Sequence, residues 1–455
     1  MKFNCDENQV QIVDSDTDVI RVIRSITETG RQDAFFIFDV QEIKRKYNNW
    51  KEKFPRVIPY YAVKCNNNLF LLKILSSLGI GFNCVSKGEI KQILSLGNDP
   101  SRIVYTNPAK LSSHLRYAGD QGVDLITFDN ESELHKIKAL HQSAKLLLRF
   151  KCDAKISQVS LGLKFGCNSV TEAPVLLRVA RTLNLEVVGV CFHVGSGCEP
   201  DVYRRAIATA HKLFELGKTV GFHMYVLDIG GGFPGHKGSS LDTIADIINE
   251  TLEEYFPVDN NVNVISEPGR YFAESAFTLA TLVYSKRVVM DPVTGIRNNM
   301  YYINDGVYGS FSSILYEKRI IRPIPLSDVQ TREVIPSSIL GPTCDSVDII
   351  VQDIKFPNLN IGEWIIFENM GAYTISCVCS FNNFPIPRVF SILNESTLLH
   401  LKENSESLGE EFDLSFPHSL VDDFQLMKNW NENQQVHAIF PELLTLEGKC
   451  SLLTT

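Results

Sequence analysis

The sequence predicts an α/β fold, a (β/α)8 barrel of parallel strands followed by a second, mostly β domain. Three observations predict it. From about residue 34 to 270, short apolar runs alternate with amphipathic helical stretches. The runs number eight and are continuous in Val, Ile, Leu and Phe, as parallel strands covered on both faces require. After Tyr271 the helical stretches thin out and β-prone runs take over. Eight strands, mostly followed by helices, favour a closed barrel over a doubly wound sheet.

Taken in order, residues 39–54 read as a helix, with Asp39 and Glu42 at capping-box spacing. The barrel strands are predicted at 56–64, 79–84, 103–107, 125–129, 145–151, 187–193, 225–229 and 263–267. Residues 201–216 read as a helix with Asp201 as its N-cap and an apolar face of Tyr203, Ile207, Ala210 and Phe214. Gly217 is its predicted stop. In the second domain, 277–285, 299–303, 364–367 and 387–393 read as strands. The expected division is 1–35 as a segment joining the β domain, 36–270 as the barrel, 271–400 as the C-terminal β domain, and 401–455 as an acidic, flexible tail.

A chain of 455 residues can fill two cores. Its net charge of −9 argues against nucleic acid as a partner, because phosphate backbones call for clustered Lys and Arg. No apolar stretch approaches the roughly 20 residues of a membrane helix. The N-terminus turns acidic at Asp6 and Glu7 and lacks a signal-peptide core. The 11 cysteines are scattered without paired metal-site spacing, and Cys377 and Cys379 form a C-x-C pair. This pattern predicts reduced, mostly buried thiols, a cytoplasmic protein and no metal.

Lys64 is the most informative residue. It ends the first strand candidate, in Val57-Ile58-Pro59-Tyr60-Tyr61-Ala62-Val63-Lys64-Cys65-Asn66. A lysine there is costly unless it does chemistry, and later strand ends carry groups suited to a phosphate or a pyridine ring. The combination points to a Schiff-base lysine and to pyridoxal 5'-phosphate (PLP) acting on an amino group. In a barrel of this kind the active site lies at the C-terminal strand ends. There the second strand leads to Asn83 and Glu89, and the fifth carries Arg149. The sixth ends in His193-Val194-Gly195-Ser196-Gly197, and the seventh in Asp228-Ile229-Gly230-Gly231-Gly232-Phe233-Pro234-Gly235. The eighth ends in Glu267-Pro268-Gly269-Arg270-Tyr271.

Each residue has a plainer reading beside the chemical one. Three glycines also make an ordinary tight turn, but with Arg270 one strand later a phosphate site is the better reading. Glu267 either keeps a pyridine nitrogen protonated or pairs with Arg149. His193 either stacks on a flat ring or is a satisfied core histidine. Asp228 points into the same region or caps a helix. In the second domain Cys344 and Asp345 sit in Gly341-Pro342-Thr343-Cys344-Asp345. They form either a structural loop or a proton donor beside a charge-recognising acid.

Together these motifs resemble the eukaryotic ornithine decarboxylase family, TIM-like barrel PLP enzymes related to alanine racemase. The resemblance covers residues 30 to 395 and also includes Glu368-Asn369-Met370-Gly371-Ala372-Tyr373-Thr374. It implies that Lys64 carries the cofactor, that His193 stacks on its ring and that Glu267 pairs with the pyridine nitrogen. Ser196, Gly230, Gly231, Gly232, Arg270 and Tyr373 would hold the phosphate, with Arg149 and Gly269 among the cofactor contacts. Cys344 would return a proton to the substrate carbon. Asp345 would bind the substrate's far ammonium, with Tyr316 and Glu317 alongside. The implied reaction converts L-ornithine to putrescine and carbon dioxide, the first step of polyamine biosynthesis. It implies a homodimer with shared active sites, the Cys344–Asp345 loop coming from the partner.

Two positions depart from the family pattern. Asn83 and Glu317 stand where the family usually has aspartates. The first removes a negative charge near the cofactor; the second lengthens an acid in the substrate site, which opens the way to another cationic amino acid. The family also contains catalytically inactive antizyme inhibitors, which makes an antizyme-binding regulator the alternative to an enzyme. Antizyme as a partner would use the region resembling the family's contact helix, 110–134. That region holds Lys110 and Arg116, with Lys136 and Lys138 just beyond, and is sparse for a basic face.

Overall fold

The structure, a computed structural model, describes residues 10–152, 162–290, 292–293, 295–317 and 319–407. Eight parallel strands close into a barrel in the order Asn263–Ser266, Val57–Ala62, Gly81–Cys84, Ile103–Tyr105, Leu125–Phe128, Lys145–Arg149, Glu186–Cys191 and Val226–Asp228. Pairing of Val264 with Val57 closes the ring. Val104, Leu147, Val188, Val226 and Ile265 fill part of its interior. All eight predicted strands are present, most of them shorter at the C-terminal end than their apolar runs. Lys64 lies beyond its strand, in a single 3-10 turn over Val63–Cys65.

The helices outside the barrel follow local rules with two adjustments. Val40–Lys53 starts on Asp39, whose carboxylate accepts the Gln41 N–H at 3.0 Å. Glu42 does not reach back to complete a capping box. It pairs with Arg45 at 2.7 Å and accepts the Ser275 hydroxyl at 2.7 Å. The predicted 201–216 helix runs on to Val220, with Gly217 inside it and Pro200 before it. The stop is Gly221, left-handed at φ 92°. Gly221→Ala is expected to cost about 1 kcal/mol through that backbone alone, since the new methyl would meet nothing closer than Arg181 at 3.6 Å. A lowered urea midpoint with an unchanged slope would show it.

The second layer is a nine-stranded sheet. Its main path runs Gln11–Val13, Arg388–Asn394, Phe35–Asp39, Phe277–Met290, Arg297–Ile303, Val334–Leu340 and Ile349–Pro357. Trp364–Phe367 pairs with the same long Phe277–Met290 strand, and Ile324–Pro325 pairs with Trp364–Phe367. The Phe35–Asp39 strand, just N-terminal to the barrel's first helix, is part of this sheet. Phe35 meets Trp364 and Phe390 edge-on, at 5.5 and 5.7 Å between ring centres, over Val22, Ile23 and Ile26 of the Val19–Thr27 helix. Glu395–Ser407 is helical, so the tail expected from 401 begins inside a helix, and 408–455 lie outside the described residues.

Barrel and sheet are joined behind Lys64. Asn66 donates to Gly371 O at 2.9 Å, and Cys65 O accepts Tyr373 N–H at 2.9 Å and the Ser376 hydroxyl at 3.0 Å. The lysine turn is therefore held from the second domain as well as from its own strand. Among the described residues, no helix is long and apolar enough to cross a membrane. The described cysteines, Cys344 and Cys379 exposed among them, are free thiols.

Candidate active site

The C-terminal strand ends converge on one region. Lys64 is half-buried, and no hydrogen bond within the described residues engages its ammonium. Its charge acts on Glu89, Cys84 and His193. Glu89 is raised from its ordinary value by burial, and it accepts the Val85 N–H at 2.6 Å. Asn83 is fully buried. Its carbonyl accepts the Thr106 hydroxyl at 2.7 Å, while its amide nitrogen has no partner. An aspartate at that position would need to desolvate a second carboxylate; the amide carries no such penalty.

His193 accepts the Gly195 N–H on Nδ1 at 3.0 Å, which places its own proton on Nε2. Burial, then the charges of Arg149 and Lys64, pull its pKa down from 6.5 to about 3. A neutral, flat imidazole results, suited to lie against a ring. Between pH 3 and 6.5 the unfolded chain binds a proton here and the fold does not. Stability contributed by this group is therefore complete above 6.5 and falls on acidification. The limiting slope is one proton, about 1.4 kcal/mol per pH unit. His193→Gln should remove that one-proton component from urea stability measured between pH 4.5 and 7; an unchanged slope would contradict the neutral assignment.

Arg149 ends its strand with its guanidinium over the Phe165 ring, 5.1 Å from the centre, and forms no ion pair with Glu267 among the described residues. That removes the plainer reading of Glu267. Asp228 is fully buried, and its pKa is pushed well above the carboxylate range by burial and by the adjacent Glu267. Burial and the neighbouring acid thus favour the protonated form of Asp228. Asp228 caps no helix. Its Oδ1 accepts the Gly230 N–H at 2.8 Å and so anchors the glycine loop.

That loop needs its glycines. Gly230 has φ 66°, and a Cβ there would lie 2.2 Å from Phe192 O. Gly232 has φ 111°, and its Cβ would fall 2.4 Å from Gly195 O. Gly230 O in turn accepts Glu267 N–H and the Ser266 hydroxyl, both at 2.7 Å, which locks the seventh strand's loop to the eighth. A cavity of about 990 Å³ opens beside it, lined by Ser196, Gly232, Arg270, Glu274, Glu317 and Arg319. A tight glycine cradle, a half-buried hydroxyl and a guanidinium together fit a phosphate. Beside it, at the ends of neighbouring strands, Lys64 and the two acids Asp228 and Glu267 fit an aldehyde and a basic ring nitrogen. The residues present thus fit PLP.

Arg270 is already engaged. It pairs bidentately with Glu317, at 2.9 Å to each oxygen, and with Glu274 at 3.2 Å, and it lies over the Tyr373 ring at 5.1 Å. Glu317 therefore stands on the arginine of the phosphate corner. Tyr373 takes a left-handed backbone at φ 54°. Gly269 packs on Cys65, where a Cβ would come within 2.8 Å.

Cys344, Asp345 and Tyr316 do not line this cavity, and neither do Lys64, Arg149, His193, Glu267 or Tyr373. Cys344 is exposed, and its Sγ lies 3.4 Å from Asn382 Oδ1. Asp345 accepts a short hydrogen bond from Tyr308, which holds its carboxyl below the ordinary range. Tyr316 is exposed. The sequence reading missed Glu274, Arg319 and Asn382. The Arg270–Glu274 i,i+4 spacing was a visible signal; nothing local marked the other two. Residues 110–134 are not one helix: they hold the Ser112–Asp120 helix, the Leu125–Phe128 strand and the start of Glu131–Leu140. Lys110 is buried and bonded to Glu133 at 3.0 Å, so its charge is withdrawn from that face.

Residues 40–274 match the family model for the pyridoxal-binding domain of pyridoxal-dependent decarboxylases. Ornithine decarboxylase of Rattus norvegicus is 41% identical over 396 residues, covering 84% of this chain and 85% of the relative. Antizyme inhibitor 2 of Xenopus laevis is 42% identical over 376 residues, covering 80% and 82%. Among solved structures, the arginine decarboxylase of Paramecium bursaria Chlorella virus, bound to agmatine, superposes with a TM-score of 0.78. It is 39% identical and covers 82% of this chain and all of that one.

Proposed function

The chain belongs to the pyridoxal-dependent decarboxylase family that includes the ornithine decarboxylases, and from that premise we propose that it converts L-ornithine to putrescine and carbon dioxide. The observation that carries this reading is that Asp228, Glu267 and Lys64 sit at the ends of three neighbouring strands of one barrel, beside the glycine loop. Bound PLP supplies the electron sink for the pair of electrons left when the carboxylate departs. Lys64 would hold the cofactor's aldehyde through Nζ. Glu267, an acid beside Asp228, would hold a proton on the ring nitrogen. His193, neutral, would cover the ring without adding charge. Ser196, the Gly230–Gly232 backbone and Arg270 fix the phosphate, so the reacting end is positioned by its opposite end.

The proton donor and the distal acid come from a second copy of the chain. Cys344 is exposed, which suits a loop donated across a homodimer. Asp345 stays charged across the physiological range and suits an ammonium. The first test is carbon dioxide release by the purified protein with PLP, given ornithine, lysine, arginine and leucine separately. Release from ornithine alone is expected. Release from another amino acid alone would overturn the substrate. No release from any, with no PLP bound, would leave an antizyme-binding regulator as the function.

A further inference from the structure

Lys46 lies on the Val40–Lys53 helix, in a Lys44-Arg45-Lys46 run that reads as a solvent face. It is only 2% exposed. Its ammonium forms no ion pair within 4 Å among the described residues, although Glu42 is near; Glu42 is taken up by Arg45 and Ser275. A buried ammonium without an acid is costly and needs compensating hydrogen bonds. Its pKa is accordingly drawn down by burial to about 8, with Glu42 and Glu274 acting to hold it up and Arg45 to lower it.

What it does bond is specific. Nζ donates to Gly235 O at 2.6 Å and to Tyr271 O at 2.5 Å. Gly235 ends the glycine loop after the seventh strand, and Tyr271 follows Arg270 after the eighth. These backbones touch at that point, since a Cβ on Gly235 would lie 2.0 Å from Arg270 O. The helix is fastened in return. Tyr271 donates its hydroxyl to Lys46 O at 2.9 Å and accepts from the Asn49 amide at 2.9 Å. The ammonium also lies 4.8 Å from the Tyr271 ring centre.

We propose that Lys46 is the positioning residue of the phosphate seat, a strut behind the site that fixes the Gly230–Gly235 loop against Arg270. It touches neither cofactor nor substrate, and its effect reaches the phosphate only through the two loops it ties. The inference rests on the PLP reading of the site.

The test compares PLP with pyridoxal, which lacks the phosphate, in equilibrium titrations of the purified protein followed by absorbance and intrinsic fluorescence. Lys46→Met is expected to weaken PLP by about 10- to 100-fold, the worth of two hydrogen bonds from a charged donor. It should leave pyridoxal within about 2-fold of wild type, and Lys46→Arg should recover most of the loss by bridging both carbonyls. Lys46→Gln, which keeps a donor without the charge, takes the place of the Met variant if that one does not fold, and is expected to weaken PLP alone. Equal weakening of PLP and pyridoxal would reduce Lys46 to general stability and overturn the proposal. Unchanged PLP affinity in a folded variant would overturn it alone. Absence of PLP binding by the wild-type protein would overturn the PLP reading together with it.

Discussion

Replacing Lys64 with Ala is expected to abolish covalent attachment of PLP and to lower decarboxylation by at least about 10³-fold, or ~4 kcal/mol of transition-state stabilisation. The reason is positional. Lys64 is half-buried at the barrel rim, its ammonium is bonded to no described residue, and its charge is felt by His193 and Glu89. The phosphate seat lies on other strands and does not depend on it. Non-covalent PLP affinity should therefore survive in the variant while the covalent bond does not. Borohydride reduction followed by peptide mass analysis separates the two. The wild-type peptide containing Lys64 should gain the mass of the cofactor, and the variant should gain none. Turnover retained without that bond would remove Lys64 from the chemistry.

The barrel strands were legible because parallel strands buried on both faces must be apolar throughout, a composition signal that needs no partner. Their ends were not. Apolar character continues into the turns that carry His193 and Lys64, so the runs overestimate the strands. Phe35–Asp39 has the same texture as a barrel strand, Phe-Phe-Ile-Phe, yet it pairs with Phe277–Met290 and Arg388–Asn394. Only those distant partners decide its sheet. Val334–Leu340 escaped detection because an inward position, between Ile335 and Ile339, is taken by Ser337. Ile349–Pro357 is interrupted by Asp353 in a left-handed conformation at φ 53°.

In the site, residue type sufficed to propose roles wherever one residue would do one job, as for Lys64, the glycine loop and Arg270. It failed for pairings across the chain. Glu317 reads as a substrate acid in sequence, but 47 residues separate it from the arginine it grips. Lys46 reads as a surface lysine, and only the meeting of two loops buries it.

Arg270→Ala is expected to weaken PLP by about 10²- to 10³-fold, more than the loss of one phosphate contact would give. Arg270 is the cation between two acids, Glu274 and Glu317, whose side chains are 8% and 12% exposed. Removing it takes a bidentate donor from the phosphate and leaves two poorly solvated carboxylates facing the same seat, with Arg319 at 3.9 Å from Glu274 as the nearest remaining cation. Repulsion then adds to the lost attraction, since breaking a buried pair exposes the partner's uncompensated charge. The two contributions separate in a double-mutant cycle. Glu317→Gln placed on the Arg270→Ala background should recover about tenfold in PLP affinity by removing one of the two anions. On the wild-type background the same change should tighten PLP, because the guanidinium no longer divides itself between Glu317 and the phosphate. Pyridoxal affinity should hold steady through all four corners of the cycle. If the double variant binds PLP no better than Arg270→Ala, Glu317 does not face the phosphate, and its charge is then available to the substrate ammonium.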